Sequence, residues 1–415
     1  MLTALETASA LARGEVSAIE LTRQCLSKAE VSGGTNGPVF TRLYSKKALD
    51  TAQNIDAARK ARAPLPPFAG VPISIKDLFD VEGEVTMAGS VISNLPTART
   101  DATAIANLKA AGLIIIGKTN MTEFAYSGLG MNPHYGNPLS PWKPEEERIS
   151  GGSTSGGAVS VASGIVSAAI GSDTGGSCRI PAAWCGITGF KPSATRVSRR
   201  GALLLSPTLD SIGPLGPTVS CCEAMYQMLC NTPPTRTPAT STNLLRLGVL
   251  RTMVMDQIDP TVSAAYEQAL QKLENAGVIL EAIQIPQLNT IAEINSEGGF
   301  TAAESWHWHL PYITYSARGY DPRVLSRIER GETHNLASYL KLHEQRHNLI
   351  CAIEPILRRY SAIIMPTHRS FPLACRKWPM MPPIQRPTCL HYETLPLLTW
   401  STAVRSQSPS RCRLG

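Results

Sequence analysis

A chain of 415 residues with 43% hydrophobic and 17% charged residues has ample apolar material for a large core. A net charge of +7 is modest at this length and no dense Lys/Arg run occurs, which argues against nucleic-acid binding. No run of 18 apolar residues would cross a membrane, and the ten cysteines lack a CxxC pair, with Cys221 and Cys222 adjacent, which fits neither a disulfide framework nor a zinc knuckle. The first residues carry Glu6 and lack a basic stretch followed by an unbroken apolar run, so no signal peptide is expected and a reducing cytoplasm is the simplest location.

In chain order, residues 2–12 read as a helix that stops near Gly14. Ser17 followed by Glu20 is a capping-box signature opening a second helix to about Glu30. A third helical pattern covers 46–61, and a Pro-rich turn over 64–70 leads into the apolar run 71–75, a buried strand with Lys76 at its end. Residues 102–111 predict a helix stopped by Gly112, and 113–117 an apolar strand. This alternation predicts an α/β sheet. Further on, 231–243 is a polar, Pro-rich connector, 245–250 a strand, 259–276 a helix and 278–285 a strand. Residues 293–350 read as helical, with Trp306, Trp308, Tyr312 and Tyr315 either facing a substrate or packing in the core.

The densest signal lies between 151 and 191. Two Gly/Ser turns, Gly151-Gly152-Ser153-Thr154-Ser155-Gly156-Gly157 and Gly175-Gly176-Ser177, flank an apolar small-residue segment over 158–170 that reads as a buried helix or strand. Glycine permits positive φ and close backbone approach, and unpaired backbone N–H groups at such a turn form an anion site suited to an oxyanion. The interleaved Ala, Val and Ile predict packing, unlike a loose Gly/Ser linker.

These residues resemble the signature of the amidase signature family, serine hydrolases and amidotransferase subunits that cut carboxamide C–N bonds. The matching blocks are Gly151-Gly152-Ser153, Gly171-Ser172-Asp173-Thr174-Gly175-Gly176-Ser177, Arg179-Ile180-Pro181-Ala182-Ala183, Cys185-Gly186 and Gly189-Phe190-Lys191-Pro192. Two more lie upstream, Gly70-Val71-Pro72-Ile73-Ser74-Ile75-Lys76-Asp77 and Gly117-Lys118-Thr119-Asn120-Met121-Thr122-Glu123-Phe124, and one downstream over 206–214, expected to line the site as a loop. The resemblance implies one large α/β domain over 1–367, with a mixed central sheet flanked by helices on both faces and a catalytic core at about 66–215.

It also implies a Ser–Ser–Lys triad: Ser177 as nucleophile, Ser153 as bridging serine after a cis Gly152–Ser153 peptide, and Lys76 as base. Ser177 follows Ser153 by 24 residues, the family's spacing. Thr154 and Ser155 are the nearest competitors for the bridging role. Chemically, a serine hydroxyl needs a base, and a lysine serves when burial favours its neutral form. Asp77 opposes this unless it points away. The backbone N–H groups of Thr174, Gly175, Gly176 and Ser177 are the expected oxyanion donors, with Asp173 and Arg179 holding the turn. Cys178 and Cys185 are expected as reduced core residues.

The expected activity is hydrolysis of a small-molecule carboxamide to a carboxylate and ammonia or an amine, without cofactor or metal. The alternative is the glutaminase subunit of a tRNA-dependent amidotransferase, with Arg327 a loose match to a carboxylate-binding arginine; a third reading is a non-catalytic binding protein. Partners follow the activity, a homodimer for the first and other subunits for the second. His343-Glu344-Gln345-Arg346-His347 fits the HExxH zinc motif, but no third ligand is evident and a solvated helix face reads better. Residues 368–415, rich in Pro, Arg, Ser and Cys, are expected to be an atypical tail that resembles a truncated or frame-shifted end.

Overall fold

The computed structural model describes residues 2–35, 38–232 and 240–375. The N-terminal part builds a layer of helices on a sheet: α1 (Ala4–Arg13), α2 (Ala18–Thr35), β1 (Phe40–Leu43), α3 (Ser45–Lys60), β2 (Pro72–Lys76), α4 (Thr103–Ala110) and β3 (Ile114–Thr119). Here the expected elements form within one to five residues of their predicted ends. The capping box expected at Ser17 forms only in part. Glu20 N–H reaches Ser17 Oγ at 3.2 Å, and the first helical N–H groups of Ala18 and Ile19 go instead to the Asp56 carboxylate on α3, each at 2.9 Å. A complete reciprocal box forms at Thr3 and Glu6.

The segment 158–170, open between helix and strand, divides into both. α5 (Ser155–Ala162) ends at a turn in which Gly164 adopts φ 66°, and β4 (Ala169–Asp173) follows. α6 (Arg179–Cys185), β5 (Thr188–Gly189), β6 (Ser211–Gly216) and α7 (Val219–Leu229) complete the central layer. The sheet has six strands in the order β1-β3-β2-β4-β6-β5. It is mixed: β3, β2 and β4 run parallel, whereas β1, β6 and β5 pair antiparallel. β2, β3, β4 and β6 are buried along their whole length, as expected for strands covered by helices. α2 and α3 pack on β3, α5 on β2 and β4, and α7 on β6.

The second half contributes β7 (Arg246–Leu250), α8 (Pro260–Asn275), β8 (Ile279–Ile283), α9 (Thr290–Ile294), α10 (Gly299–Ser316), α11 (Pro322–Glu329), α12 (Leu336–Leu357) and β9 (Ala362–Ile364). The predicted strand–helix–strand forms, and with β9 it makes a separate three-stranded parallel sheet, β8-β7-β9. A second apolar cluster, including Leu250, Ile283, Phe300, Leu349 and Tyr360, backs this sheet. Part of the 231–243 connector, and the tail beyond 375, lie outside the described residues. No helix of the described chain is long and apolar enough to cross a membrane.

The aromatics of α10 divide. Trp308 stacks on Tyr312 at 4.8 Å and packs near Phe124, which is core packing, whereas Tyr315 is 85% exposed. The HExxH pair lies on α12. His343 packs edge-on against Phe300 and Tyr339, and His347 Nε2 lies 3.5 Å from Cys351 Sγ. Among the described residues no three His, Cys, Asp or Glu side chains gather as metal ligands.

Candidate active site

Because β2, β3 and β4 are parallel, their carboxyl ends align, and these ends carry Lys76, Thr119 and Asp173. Ligand sites of open α/β sheets lie at such an edge. The loop after β3 and the start of α5 deliver Ser153 to it, and the turn after β4 delivers Ser177. The Gly152–Ser153 peptide is cis. Gly152 is required by crowding: a Cβ there would fall 2.6 Å from Gly130 N and 2.7 Å from Thr122 Oγ1. Gly156 is required likewise, since a Cβ would lie 2.2 Å from Val39 O. The absence of side chains there lets α5 sit against the end of β3, where Gly156 N–H donates to Asn120 O at 2.9 Å.

Lys76 is fully buried, and its Nζ donates to Ser153 Oγ at 2.7 Å and to Ser172 Oγ at 2.9 Å. Ser177, 6% exposed, is tied to the same cluster through Thr154 N–H, which donates to Ser177 O at 3.2 Å. The structure therefore brings Lys76 and Ser153 into direct contact and places Ser177 on the adjoining turn. Ser172 was not anticipated. It lies inside a matching block, but its contact with Lys76 is visible only once β4 lies beside β2.

Burial pushes the Lys76 ammonium down to about 8. Cys178, Asp210 and Asp173 oppose this in that order, but burial raises the Cys178 thiol to about 12, so it is neutral where Lys76 titrates. Asp77, the expected opponent, turns away to Lys118, 3.5 Å from Asp77 Oδ1. Its charge is answered there and not at Lys76.

The Ser177 turn is braced from inside. Asp173 is completely buried and accepts from Gly176 N–H at 2.8 Å, Cys178 N–H at 3.0 Å, Arg179 Nε at 3.0 Å and Arg179 Nη2 at 2.8 Å. Burial raises its pKa, but the Arg179 charge and these donors outweigh it and hold the carboxyl at about 2. The expected holding role of Asp173 and Arg179 is what the contacts show. One consequence was not expected. The Gly176 N–H is engaged by Asp173, so it is not free to face an incoming anion. Thr174 is anchored separately, its hydroxyl donating to the buried Asp210, which also accepts from Leu205 N–H at 2.8 Å. The 206–214 block thus reaches the site through Asp210. Glu304 on α10 fixes its start by accepting from Ser206 Oγ, Thr208 Oγ1 and Tyr339 Oη. Gly175 borders open space: a Cβ there would meet nothing within 4 Å.

Replacing Arg179 by Met leaves the buried Asp173 carboxylate without its counter-ion, and a loss of about 3–5 kcal/mol in urea-unfolding stability is expected at pH 7. The depressed pKa sets the sign: the stabilisation is present above the unfolded carboxyl's ordinary value and is lost as pH falls toward 2. The difference between wild type and Arg179→Met should therefore shrink on acidification. A difference that stays constant down to pH 2 would refute the ion-pair account.

The remaining blocks act as frame. Asn120 Nδ2 donates to Pro38 O and Gly136 O, each at 2.9 Å. Glu123 is buried against Ser90 Oγ at 2.6 Å, His134 Nε2 at 2.8 Å and Asp321 N–H at 2.6 Å. Arg327 Nη1 donates to Tyr126 O at 2.6 Å. Chain 366–375 packs against the wall of the site. Trp184 Nε1 donates to Ser370 O at 3.2 Å, Ile149 N–H to Leu373 O at 2.9 Å, and Leu373 and Cys375 cover Ile149, Ile180 and Trp184. Cys178, Cys185, Cys221 and Cys222 are buried free thiols.

A buried lysine on a serine that follows a cis glycine peptide, beside a Gly-Gly-Ser turn, is matched by sequence comparison: the Amidase family model aligns with residues 20–403. The chain belongs to the amidase signature family. The family match runs past residue 367, where the recognisable blocks fade. A glutamyl-tRNA(Gln) amidotransferase subunit from Symbiobacterium thermophilum is 33% identical, over 88% of this chain and 82% of that protein. A 1-carboxybiuret hydrolase subunit from Pseudomonas sp. strain ADP is 32% identical, over 90% and 83%. A crystal structure of an amidase superposes with a TM-score of 0.83 at 28% identity, over 90% of this chain and 84% of that one. This amidase signature protein is accordingly a single α/β domain and a hydrolase of that family.

Proposed function

We propose that this amidase signature protein hydrolyses a linear carboxamide through an acyl-enzyme, with Ser177 as nucleophile, Ser153 as proton relay and Lys76 as base. The observation that carries the reading is the 2.7 Å contact from a fully buried lysine to Ser153. Neutral Lys76 accepts a proton from Ser153 as Ser153 accepts one from Ser177, and Ser177 Oγ adds to the amide carbon. Backbone N–H groups of Thr174, Gly175 and Ser177 face the developing oxyanion; Gly176, already spent on Asp173, is left out of the cradle. Ser153 returns the proton to the leaving nitrogen, the C–N bond breaks, and water then cleaves the Ser177 ester by the reverse relay. Ser172, the second hydroxyl on Lys76 Nζ, holds the amine in line with Ser153.

Purified protein assayed with small aliphatic and aryl amides tests this. Burst release of amine followed by slower turnover is the expected signature of an acyl-enzyme. The bond broken needs no metal, so treatment with EDTA or 1,10-phenanthroline should leave the rate unchanged. A rate abolished by chelation and restored by zinc would return the His343–His347 pair to consideration.

A second reading rests on the similarity to the glutamyl-tRNA(Gln) amidotransferase protein. In it the same relay cleaves glutamine, and ammonia passes to a partner subunit. Arg327 faces Tyr126 O and would have to exchange that contact to bind a substrate carboxylate. Glutamine turnover that appears only on adding partner subunits would select this reading, whereas turnover of simple amides by the isolated chain selects the first. A cytoplasmic location belongs with either.

A further inference from the structure

The Lys76 cluster lies on one face of the central sheet; a cavity of about 650 Å³ opens on the other. In the β2–β3 ladder Lys76 pairs with Thr119 and Ile75 with Lys118. Cross-strand partners share a face and successive residues alternate, so Lys118 projects away from the side that bears Lys76. Lys118 and Asp77 line this cavity, with side chains only 2% and 3% exposed. Its mouth carries Arg42 and Glu84, which are ion-paired, and the exposed Ser93.

Two features mark it as a place for a ligand. The neighbours of Lys118 Nζ, Asp77 Oδ1, Val85 O and Thr86 Oγ1, all stand off at 3.5 Å, the long limit for such contacts. Charge-assisted bonds to an ammonium ordinarily close to about 2.7–2.9 Å. A buried ammonium without one short acceptor has room for another. The volume falls within the range of about 300–1,000 Å³ found for small-molecule sites.

The charges select the ligand class. Lys118 and Arg42 offer two cations, Asp77 and Glu84 two anions, set as the pairs Lys118–Asp77 and Arg42–Glu84 with a formal sum of zero. A simple anion or cation would meet a like charge beside every opposite one. A molecule bearing both an acceptor and a donor group meets partners for each.

We propose that this cavity is a second binding site, distinct from the Lys76–Ser153–Ser177 cluster, for a small zwitterion of the amino-acid class. Its carboxylate is received by Lys118 and its ammonium by Asp77 or Glu84. The proposal does not depend on the hydrolytic reading and is tested by binding alone.

The probe is asparagine, titrated calorimetrically into the full chain carrying Ser177→Ala, with succinate and butane-1,4-diamine as singly signed controls, and soaked into crystals of the same protein. Asparagine should bind with a dissociation constant of about 1 mM, the order reachable by nine heavy atoms. The controls should bind at least tenfold more weakly. Adding Ser93→Trp, an exposed substitution that blocks the mouth, should weaken asparagine at least tenfold. Lys118→Met should do the same, and Ser93→Trp keeps the test standing if loss of that buried cation prevents folding. Density beside Lys118 supports the proposal. No binding at 20 mM, affinity unchanged by Ser93→Trp, density confined to the Ser177 side, or tighter binding of either control overturns it.

Discussion

Ser177→Ala is expected to lower kcat for amide hydrolysis by about 10⁴-fold or more, the scale seen when a nucleophile is removed from a relay whose members act as a unit. Folding should be untouched. Ser177 contributes a carbonyl contact to Thr154 N–H, which alanine retains, and its turn is braced by Asp173 and Arg179. The variant should therefore keep its unfolding midpoint and still bind a non-reactive amide. Non-additivity gives a sharper reading. If protons pass from Ser177 through Ser153 to Lys76, the double variant Ser153→Ala/Ser177→Ala should be no slower than Ser177→Ala alone. Losses that multiply would mean that Ser153 acts independently. Retention of full activity by Ser177→Ala would remove the nucleophile assignment altogether.

The second large effect concerns Lys76. In the proposed relay Lys76 acts as the neutral amine, and burial lowers its pKa to about 8. The kcat/KM profile of the wild type should thus rise with pH and level off above about 8, and Lys76→Met should lose the limb together with about 10³-fold or more in rate. The stability of the wild type should rise with pH as well. Between pH 8 and 10.5 the unfolded lysine still holds its proton while the folded one has released it, so the unfolded state binds more protons and stability rises with pH in that window. Below pH 8 the folded protein carries a buried ammonium at a cost of about 3 kcal/mol, because burial holds its pKa at about 8 and not at the ordinary 10.5. Lys76→Met relieves that cost and loses two hydrogen bonds to serine. It should be at least as stable as wild type at pH 7, with the advantage fading toward pH 10.5. Melting temperatures of both proteins measured from pH 7 to 10 decide the matter. A variant that is inactive and also strongly destabilised at pH 7 would mean that Lys76 is chiefly structural.

Several features of the fold could be read from local pattern alone. The helices at 46–61 and 102–111 and the strands at 71–75 and 113–117 formed within a few residues of their expected places. Periodicity and stop residues such as Gly112 act over a few residues, and tertiary contacts there reinforce them. Ambiguity remained where composition was uniform. Small apolar residues over 158–170 suit helix and strand equally, and the division into α5 and β4 followed from the turn at Gly164 and the place left for β4 between β2 and β6. The aromatics of α10 were equally open, because side-chain type does not tell which helix face is covered.

The sequence by itself determined the family, through glycine-rich blocks whose order and spacing few other folds tolerate. It also singled out Lys76, Ser153 and Ser177, because each lies inside such a block. Only the tertiary structure decided which groups meet. Ser172 joins Lys76 because β4 lies beside β2, Asp77 is drawn off by Lys118 because the strand ends there, and Gly176 N–H is turned inward by Asp173. Asp210 reaches Thr174 from 36 residues away. Motifs are local in the chain, whereas burial, counter-charge and hydrogen-bond partner are properties of neighbours in space, and these set whether a lysine is neutral and an N–H is free.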